Sequence, residues 1–474
     1  DIRLPGQTGI ELAARVAERR PGTRVLYMTG YDDDHAAALG LDVADLDLAV
    51  PDGEEAKAAR AIARAGDAHV FQISDRFNTW RAMARDGSWQ ADVSALRGGS
   101  IDADLAERDF TLNAAAVPLS GGDPIDPFNG LADLERSLLR AVSETSFSDD
   151  PLRLMRAARL GAALGLTVES ETVGLARAAA TTAADPAGER IFAELRHLVT
   201  GHDPMRGLEL MDELAVTPVV LPELEGLRGV AQNPNHHLDV HGHTLTVLEE
   251  TLGIERDLER IAGDRAAGVQ ALLDEPLADE ITRGGALRFA AILHDIGKPA
   301  TRGERGGYIT FIGHDSVGAE MIAAMMMRLK TSRALSSHLQ AITEHHLRLG
   351  FLVSQRPLSR RAIYDYLSAT EPVSADVTLL TVADRLSARG SGPLASPEMI
   401  EAHLDLAREM LAEALDWRAS PPEPPIKGQE LAEALGIEAG PEVGRLLEEL
   451  RAGAFAGEIS DREQAIERAR ELGS

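Results

Sequence analysis

The sequence predicts an α+β protein, a mixed sheet-and-helix head followed by an all-helical body. Three observations carry that expectation. Segments with period-two alternation or β-branched content fall within the first 118 residues. Beyond them Ala, Leu, Glu and Arg recur with helical periods, and aromatic residues make up only 4% of the chain. At 474 residues the chain exceeds one ordinary core, which favours about three packed units.

In order, the predicted strands are residues 23–28, 44–50, 69–73, 90–96 and 114–118, with a helix over 51–65 between the second and third. Helical periods take over from Pro151 and are broken by Pro/Gly-rich stretches at 218–229, 390–397 and 420–425. The last of these, Ser-Pro-Pro-Glu-Pro-Pro, reads as a stiff extended linker. The 44% hydrophobic content is globular, no apolar run reaches the roughly 20 residues a membrane span needs, and no signal peptide opens the chain. A cytoplasmic protein with no membrane partner is expected. With no cysteine there is neither disulfide nor thiolate metal site, so His, Asp and Glu must hold any metal. A formal net charge of -28 excludes indiscriminate binding to nucleic acid but leaves room for a local basic groove.

Asp45-Leu-Asp47-Leu puts two carboxylates on one face of a strand and two leucines on the other. Paired carboxylates hold the divalent ions that nucleotidyl transfer uses to activate a hydroxyl and neutralise pyrophosphate, although Asp-x-Asp by itself also fits a solvated strand face. Asp92, on a later strand, is the natural third carboxylate and general base. Arg108 offers a guanidinium to triphosphate oxygens and Asp109 an acceptor to ribose hydroxyls; a surface ion pair is the plainer reading. Asp150-Pro151 has the form of an N-cap followed by proline at the first helical position. Arg153, Arg156 and Arg159 then recur at spacing three, a basic stripe along one helix or a solvated face.

Glu107-Arg-Asp-Phe-Thr-Leu-Asn-Ala, Asp126-Pro-Phe-Asn-Gly through Arg140, and Asp149-Asp-Pro-Leu-Arg-Leu-Met-Arg-Ala-Ala-Arg159 follow the carboxylates in order. The chain thereby resembles the bacterial class II tRNA nucleotidyltransferase (CCA-adding) and poly(A) polymerase family, from about Leu39 through Leu198 and again near the C-terminus. The resemblance implies a polymerase-beta-like head with Asp45, Asp47 and Asp92 as catalytic residues and Mg as cofactor. It further implies that Asp150 and Arg153 read the incoming base, that Arg108, Asp109, Arg156 and Arg159 contact the nucleotide, and that CTP, ATP and a tRNA or other RNA 3′ end are the partners. No oligomeric state is implied. Glu189-Arg-Ile-Phe-Ala-Glu-Leu195 matches a further family helix, expected to support the preceding one.

One departure bears on activity. Where the family carries Gly-Gly-x-Val-Arg-Asp, this chain reads Tyr31-Asp-Asp-Asp-His-Ala36, so amide donors and an arginine give way to carboxylates. Weakened triphosphate binding is expected. Smaller departures are Glu107 where a second arginine is usual and Asp149 where glutamate is usual. The first 36 residues, with Asp1-Ile-Arg-Leu-Pro-Gly and Val25-Leu-Tyr-Met-Thr-Gly30, resemble the middle of a response-regulator receiver, Asp1 matching its phosphoacceptor and Thr29 its switch hydroxyl. A chain opening in this way is expected to be a truncated or fused reading frame.

In the second half, His243, the adjacent His294-Asp295 in Ala291-Ile-Leu-His-Asp-Ile-Gly-Lys, and Asp384 resemble the HD phosphohydrolase superfamily. Imidazole and carboxylate ligands in that number can hold Mn, Ni, Mg or Fe, and His314 with either His345 or His346 adds ligands for a second ion. His236, His237 and Asp239 either extend this site or form a helix-entry turn. Gly440-Pro441, in a tail that resembles the C-terminal segment of the same enzymes, either presents amides to an RNA phosphate or simply caps a helix. The expected organisation is a receiver-like fragment over 1–36, a nucleotidyltransferase head over 37–145, a helical neck and RNA-binding domain over 146–225, an HD metal domain over 226–395 and a helical tail over 396–474. The expected activity is addition of CMP and AMP to the tRNA 3′ end, with phosphohydrolase potential in the HD domain. Poly(A) addition, or an HD phosphohydrolase or cyclic phosphodiesterase with an inactive head, are the alternatives.

Overall fold

Strand Ala44–Val50 shows how the head is built. In the computed structural model the described residues are 3–4, 7–8, 26–28, 44–74, 78–118 and 123–473, of which 3–4, 7–8, 26–28 and 44–45 are described as backbone only. They form two units, Asp1–Val220 and Leu221–Ser474. Asp1, Thr29 and the 31–36 segment lie outside the described residues. The first unit contains β1 (Leu26–Met28), β2 (Ala44–Val50), α1 (Glu55–Ala65), β3 (Ala68–Ser74), β4 (Thr79–Ala84), β5 (Trp89–Ala95), α2 (Ile101–Ala106) and β6 (Val117–Pro118). Its sheet has the order β3-β4-β5-β2-β1-β6, with β2 parallel to β5 and every other pairing antiparallel.

Alternation along β2 decides its two faces. Leu46, Leu48 and Val50 are buried with Ala59 and Ile62 of α1 and with Trp89, Ala91 and Val93 of β5. On the opposite face Ala49 is buried with Leu105, Ala114 and Ala116, whereas Asp47 stays exposed. The sheet is thus closed by packing at one end of this face and open to solvent at Asp47.

The 44–50 expectation matches and those at 69–73, 90–96 and 114–118 shift by one to three residues, while of 23–28 the strand covers 26–28 and residues 23–25 lie outside the described ones. α1 starts at Glu55 and not at 51, because Pro51 to Glu54 make a turn in which Gly53 has φ +83. β4 was not expected. Its sequence, Thr-Trp-Arg-Ala-Met-Ala, has helix-forming content, and pairing on both edges with β3 and β5 overrides that propensity. Beyond the sheet, α3 (Arg153–Ala163) packs against α4 (Gly188–Thr200) and α5 (Pro204–Glu213).

The second unit is helical: α6 (Val240–Arg256), α7 (Arg283–Leu293), α8 (His314–Arg328), α9 (Arg333–His345), α10 (Ser374–Ser387) and α11 (Pro397–Ala419) precede α12 (Gly428–Leu435), α13 (Pro441–Ala456) and α14 (Arg462–Leu472). α6 packs on α7 and α10, and α9 on α7 and α8. The last three helices share a small core of Leu431, Leu446, Leu450 and Ala465. Strands are not confined to the start of the chain. Hairpins pair Pro276–Ala278 with Ile281–Thr282 and Gly303–Arg305 with Tyr308–Thr310, both too short to leave a period-two signal. Among the described residues no helix is long and apolar enough to cross a membrane.

Candidate active site and metal centre

In the head, the parallel register sets Asp47 beside Asp92 and Asp45 beside Gln90 on adjacent strands. Asp92 faces Arg81 across the β4–β5 pair, and the guanidinium grips it with both arms, Nε to Oδ1 at 2.7 Å and Nη2 to Oδ2 at 2.8 Å. Arg81 escaped the sequence reading together with the strand that carries it. It fixes the orientation of the expected general base, while a carboxylate retains lone pairs beyond those the fork engages.

Past the C-terminal end of β5 opens a cleft of about 1090 Å³, lined by Arg97, Arg108, Asp109, Asp150, Arg153, Arg156 and Arg190 among others. Five of the six nucleotide-contacting residues expected from sequence therefore meet at one place. Asp47 and Asp92 are not among the lining residues. Each arginine is held by a specific acceptor. Arg108 donates to the fully buried Asp104 at 3.0 Å. Arg153 donates to the carbonyls of Glu107 at 2.6 Å and Ser146 at 3.2 Å. Arg156 bridges Asp109 at 2.7 Å and Glu194 at 3.4 Å. Burial pushes the Asp109 carboxyl up, but the Arg156 charge and hydrogen bonds from Asn113, Arg156 and Phe110 hold it below the ordinary value. Burial lowers the Arg153 guanidinium against the opposing pull of Asp109, Asp150 and Asp149.

Arg159, one turn further along α3, is not among the lining residues and donates to Glu194 at 2.5 Å. Glu194 of α4 thus braces two arginines of the stripe, the supporting part expected of the Glu189–Leu195 motif. Asp150 caps as its type suggests, Oδ1 accepting from the Leu152 amide at 3.1 Å, although the regular helix begins only at Arg153. Its other oxygen accepts from Arg190 at 2.9 Å. Arg190 was missed as a site residue; its place in the Glu189-Arg motif was the available signal.

In the second unit, six side chains converge. His243 comes from the first turn of α6, His294 and Asp295 from the end of α7, His314 from the start of α8, His346 from just past α9 and Asp384 from α10. Helix α7 delivers its pair into the interior because it is buried from Gly285 through Leu293 apart from Arg288. A Cβ on Gly297 would come within 2.2 Å of the His314 carbonyl, so glycine there lets α8 approach.

Two groups of candidate ligands result, His243–His294–Asp384 and Asp295–His314–His346. Asp295 faces both: Oδ2 lies 3.2 Å from His294 Nε2 and 3.5 Å from His243 Nε2, and Oδ1 lies 3.3 Å from His314 Nε2. His243 Nε2 is 3.1 Å from Asp384 Oδ1. His346 is the histidine of the adjacent pair that enters; His345 instead accepts from Arg348. Lys298 reaches Asp295 at 2.6 Å and Gln232 at 2.7 Å, and Asp239 caps α6 through the Gly242 amide at 2.8 Å. His236 stacks edge-on to His243 with ring centroids 4.5 Å apart, and burial, with His243 and Lys298, lowers it to about 3.

The fit to a metal rests on orientation. In all four central histidines Nδ1 is engaged: His294 with the Ala291 carbonyl at 3.0 Å, His314 with the Phe311 carbonyl at 2.7 Å, His346 with the Thr343 carbonyl at 2.6 Å and His243 with the Ser387 hydroxyl at 3.0 Å. An Nδ1 proton held in this way turns the Nε2 lone pair inward, as a metal ligand requires. Nε2 of His243 and of His294 are buried and make no hydrogen bond. Buried polar atoms left open and aimed at carboxylates suit a divalent cation.

Carboxylates in register on parallel strands, an arginine-lined cleft beyond them and a separate histidine-aspartate centre with possible metal ligands are the features of a nucleotidyltransferase-class enzyme with a second candidate metal centre. Comparison with known proteins agrees. Residues 37–140 match the poly A polymerase head domain, 165–227 the probable RNA and SrmB-binding site of polymerase A, and 240–389 the HD domain. The chain is 33% identical over 436 residues to an A-adding tRNA nucleotidyltransferase of Deinococcus radiodurans, covering 90% of this chain and 91% of that one. It is 30% identical to a CC-adding tRNA nucleotidyltransferase of Thermus thermophilus, covering 90% and 89%. In fold it is similar to a CCA-adding enzyme in complex with ATP (TM-score 0.64, 20% identity, 98% and 95% covered). A Thermotoga maritima CCA-adding enzyme complexed with tRNA gives a TM-score of 0.61 at 19% identity, with 100% and 97% covered. The chain belongs to the bacterial tRNA nucleotidyltransferase family and carries an HD domain.

Proposed function

We propose that this chain transfers CMP and AMP from CTP and ATP to the 3′ end of tRNA. The observation that carries the reading is the cleft beyond β5, where Arg108, Asp109, Asp150, Arg153 and Arg156 meet. Asp45 and Asp47 would hold Mg, which would supply charge neutralisation for the departing pyrophosphate. Asp92, aligned by Arg81, takes the proton of the attacking 3′ hydroxyl as it adds in line to the α-phosphorus. Arg108, Arg156 and, through α3, Arg159 orient the triphosphate, and Asp150 with Arg153 presents an acceptor-donor pattern to the base edge. Domain limits at 37–145, 146–225, 226–395 and 396–474 accord with this division of labour.

The relatives named above divide A addition from CC addition, so the extent of the reaction is the point to test. Labelled CTP and ATP are offered separately and together to tRNA ending before CCA and to tRNA ending in CC. Incorporation of C and then A is the expected result; A alone on the CC substrate narrows the reaction to A addition. Incorporation of neither nucleotide overturns the reading.

The convergence of six candidate ligands, five buried and Asp384 partly so, supports a second reading for the HD domain, hydrolysis of phosphate-terminated or 2′,3′-cyclic ends with Mn, Ni or Mg. Metal-dependent release of phosphate from phosphate-terminated ends, or opening of the cyclic ester to a ribose phosphomonoester, that survives Asp45→Ala and is lost in Asp295→Ala is the expected result.

A further inference from the structure

The four histidines of the buried centre are not oriented by equivalent means. His294, His314 and His346 each engage a carbonyl three residues earlier in their own chain turn. His243 engages a side chain from another helix, the Ser387 hydroxyl of α10. Ser387 is 1% exposed, and its hydroxyl donates to the Asp384 carbonyl at 2.7 Å. With its proton so committed, the serine oxygen offers only lone pairs to His243, so Nδ1 carries the proton and Nε2 faces Asp384 Oδ1. One hydroxyl therefore sets the tautomer of His243 and lies one turn from Asp384, its partner in the same ligand group.

The geometry points to Ser387 as the positioning residue for one half of the metal centre, the His243–His294–Asp384 group, with no part in the Asp295–His314–His346 group. This inference rests on the reading of that centre as a metal site. Orienting partners of this kind are worth about 10- to 100-fold in metal affinity. Because the other three anchors are backbone carbonyls, Ser387 is the one anchor of the four that a side-chain substitution can remove.

The test titrates the full chain with Co²⁺ against a chromophoric chelator and compares wild type, Ser387→Ala, Ser387→Cys and Ser387→Thr. The HD centre of the wild type is expected to bind two ions, counted as the excess over an Asp295→Ala chain, in which the carboxylates of the head still take Co²⁺. In Ser387→Ala one of the two sites weakens about 10- to 100-fold while the other holds its affinity. Ser387→Thr, which keeps the hydroxyl, restores the weakened site to within a few-fold. Ser387→Cys preserves volume with a poorer acceptor and falls between them, so the inference stays testable if the alanine variant does not fold. Two intact sites in Ser387→Ala overturn the inference. Equal weakening of both sites, or a threonine variant that melts like wild type yet fails to restore the site, overturns it as well. A wild-type chain that binds no more Co²⁺ than Asp295→Ala sinks the reading of the centre itself, a different failure from any of these.

Discussion

The two sites use the same kinds of residue under opposite conditions. In the head, Asp47 is exposed on a sheet face, and Arg108, Arg153 and Arg156 are partly exposed and each already paired with a protein acceptor. In the HD domain His243, His294, Asp295, His314 and His346 are all buried, Nε2 of His243 and His294 point inward without a hydrogen bond, and Nε2 of His314 and His346 face each other at 3.2 Å. A site that admits and releases a triphosphate can be held together by charge pairs that the substrate partly exchanges for its own. A site that keeps an ion needs its ligands oriented before the ion arrives, because an imidazole turned the wrong way offers a proton where a lone pair is required. The head is therefore assembled by ionic competition and the HD centre by prior orientation.

The largest test of this contrast is a double dissociation. Asp47→Ala is expected to cut nucleotide incorporation by about 10³-fold or more, since the bound ions contribute several kcal/mol at the transition state. Metal uptake by the HD centre stays as in wild type. Asp295→Ala reverses the pattern: Co²⁺ binding to both groups falls, and incorporation per folded chain is unchanged. Loss of both functions in either variant breaks the claim that the two sites are chemically independent.

How far these sites were legible in the sequence follows the same division. Asp45-x-Asp47 and His294-Asp295 are adjacent or nearly so, and the stripe Arg153, Arg156, Arg159 has a helical spacing, so local pattern was enough to single them out as candidates, while their expected roles came from the family resemblance. The helical body was legible for the same reason. What pairs across distance was not. Arg81 meets Asp92 only because β4, whose composition favours helix, is drawn into the sheet. Ser387 meets His243 across 144 positions. The choice of His346 over its neighbour His345 depends on which side of a helix end faces inward, and boundaries are where periodicity is least decisive. Arg159 had the spacing of its stripe, yet Glu194 claims it.

The next effect concerns the segment at 31–36, where the family pattern is replaced. Substituting Gly-Gly-x-Val-Arg-Asp there returns an arginine and backbone donors, each charge-assisted bond being worth about 1.5 to 3 kcal/mol. KM for CTP and ATP is expected to fall roughly 10- to 100-fold, with HD metal affinity unmoved. No change in KM shows that the cleft arginines alone supply triphosphate binding. Asp150→Ala sharpens the same comparison from the base side. Losing one acceptor of the proposed reading pair should lower discrimination between CTP and ATP by about 1 to 3 kcal/mol, read as the ratio of kcat/KM values, with total incorporation less affected.

The smallest expected effect is on stability, and it separates ionic assembly from packing in the head. Asp109 sits below its ordinary value in the folded chain, where burial is outweighed by Arg156 and by hydrogen bonds from Asn113, Arg156 and Phe110. The folded state therefore binds its proton less readily than the unfolded chain does. The stability this confers is fully present above about pH 4, the unfolded value, and is lost as pH falls through the lower folded value. Asp109→Asn removes that term, so its unfolding free energy should be lower than wild type at neutral pH and should converge towards it as pH drops below about 4. Arg156→Met gives the complementary case: with its main counter-charge gone, the carboxyl rises and the acid-sensitive window moves up in pH. Chemical denaturation of the two variants from pH 3 to 7 measures both. Parallel pH profiles for wild type and Asp109→Asn would mean that packing alone holds this wall of the cleft, and that the arginines are free to meet nucleotide without first leaving a carboxylate.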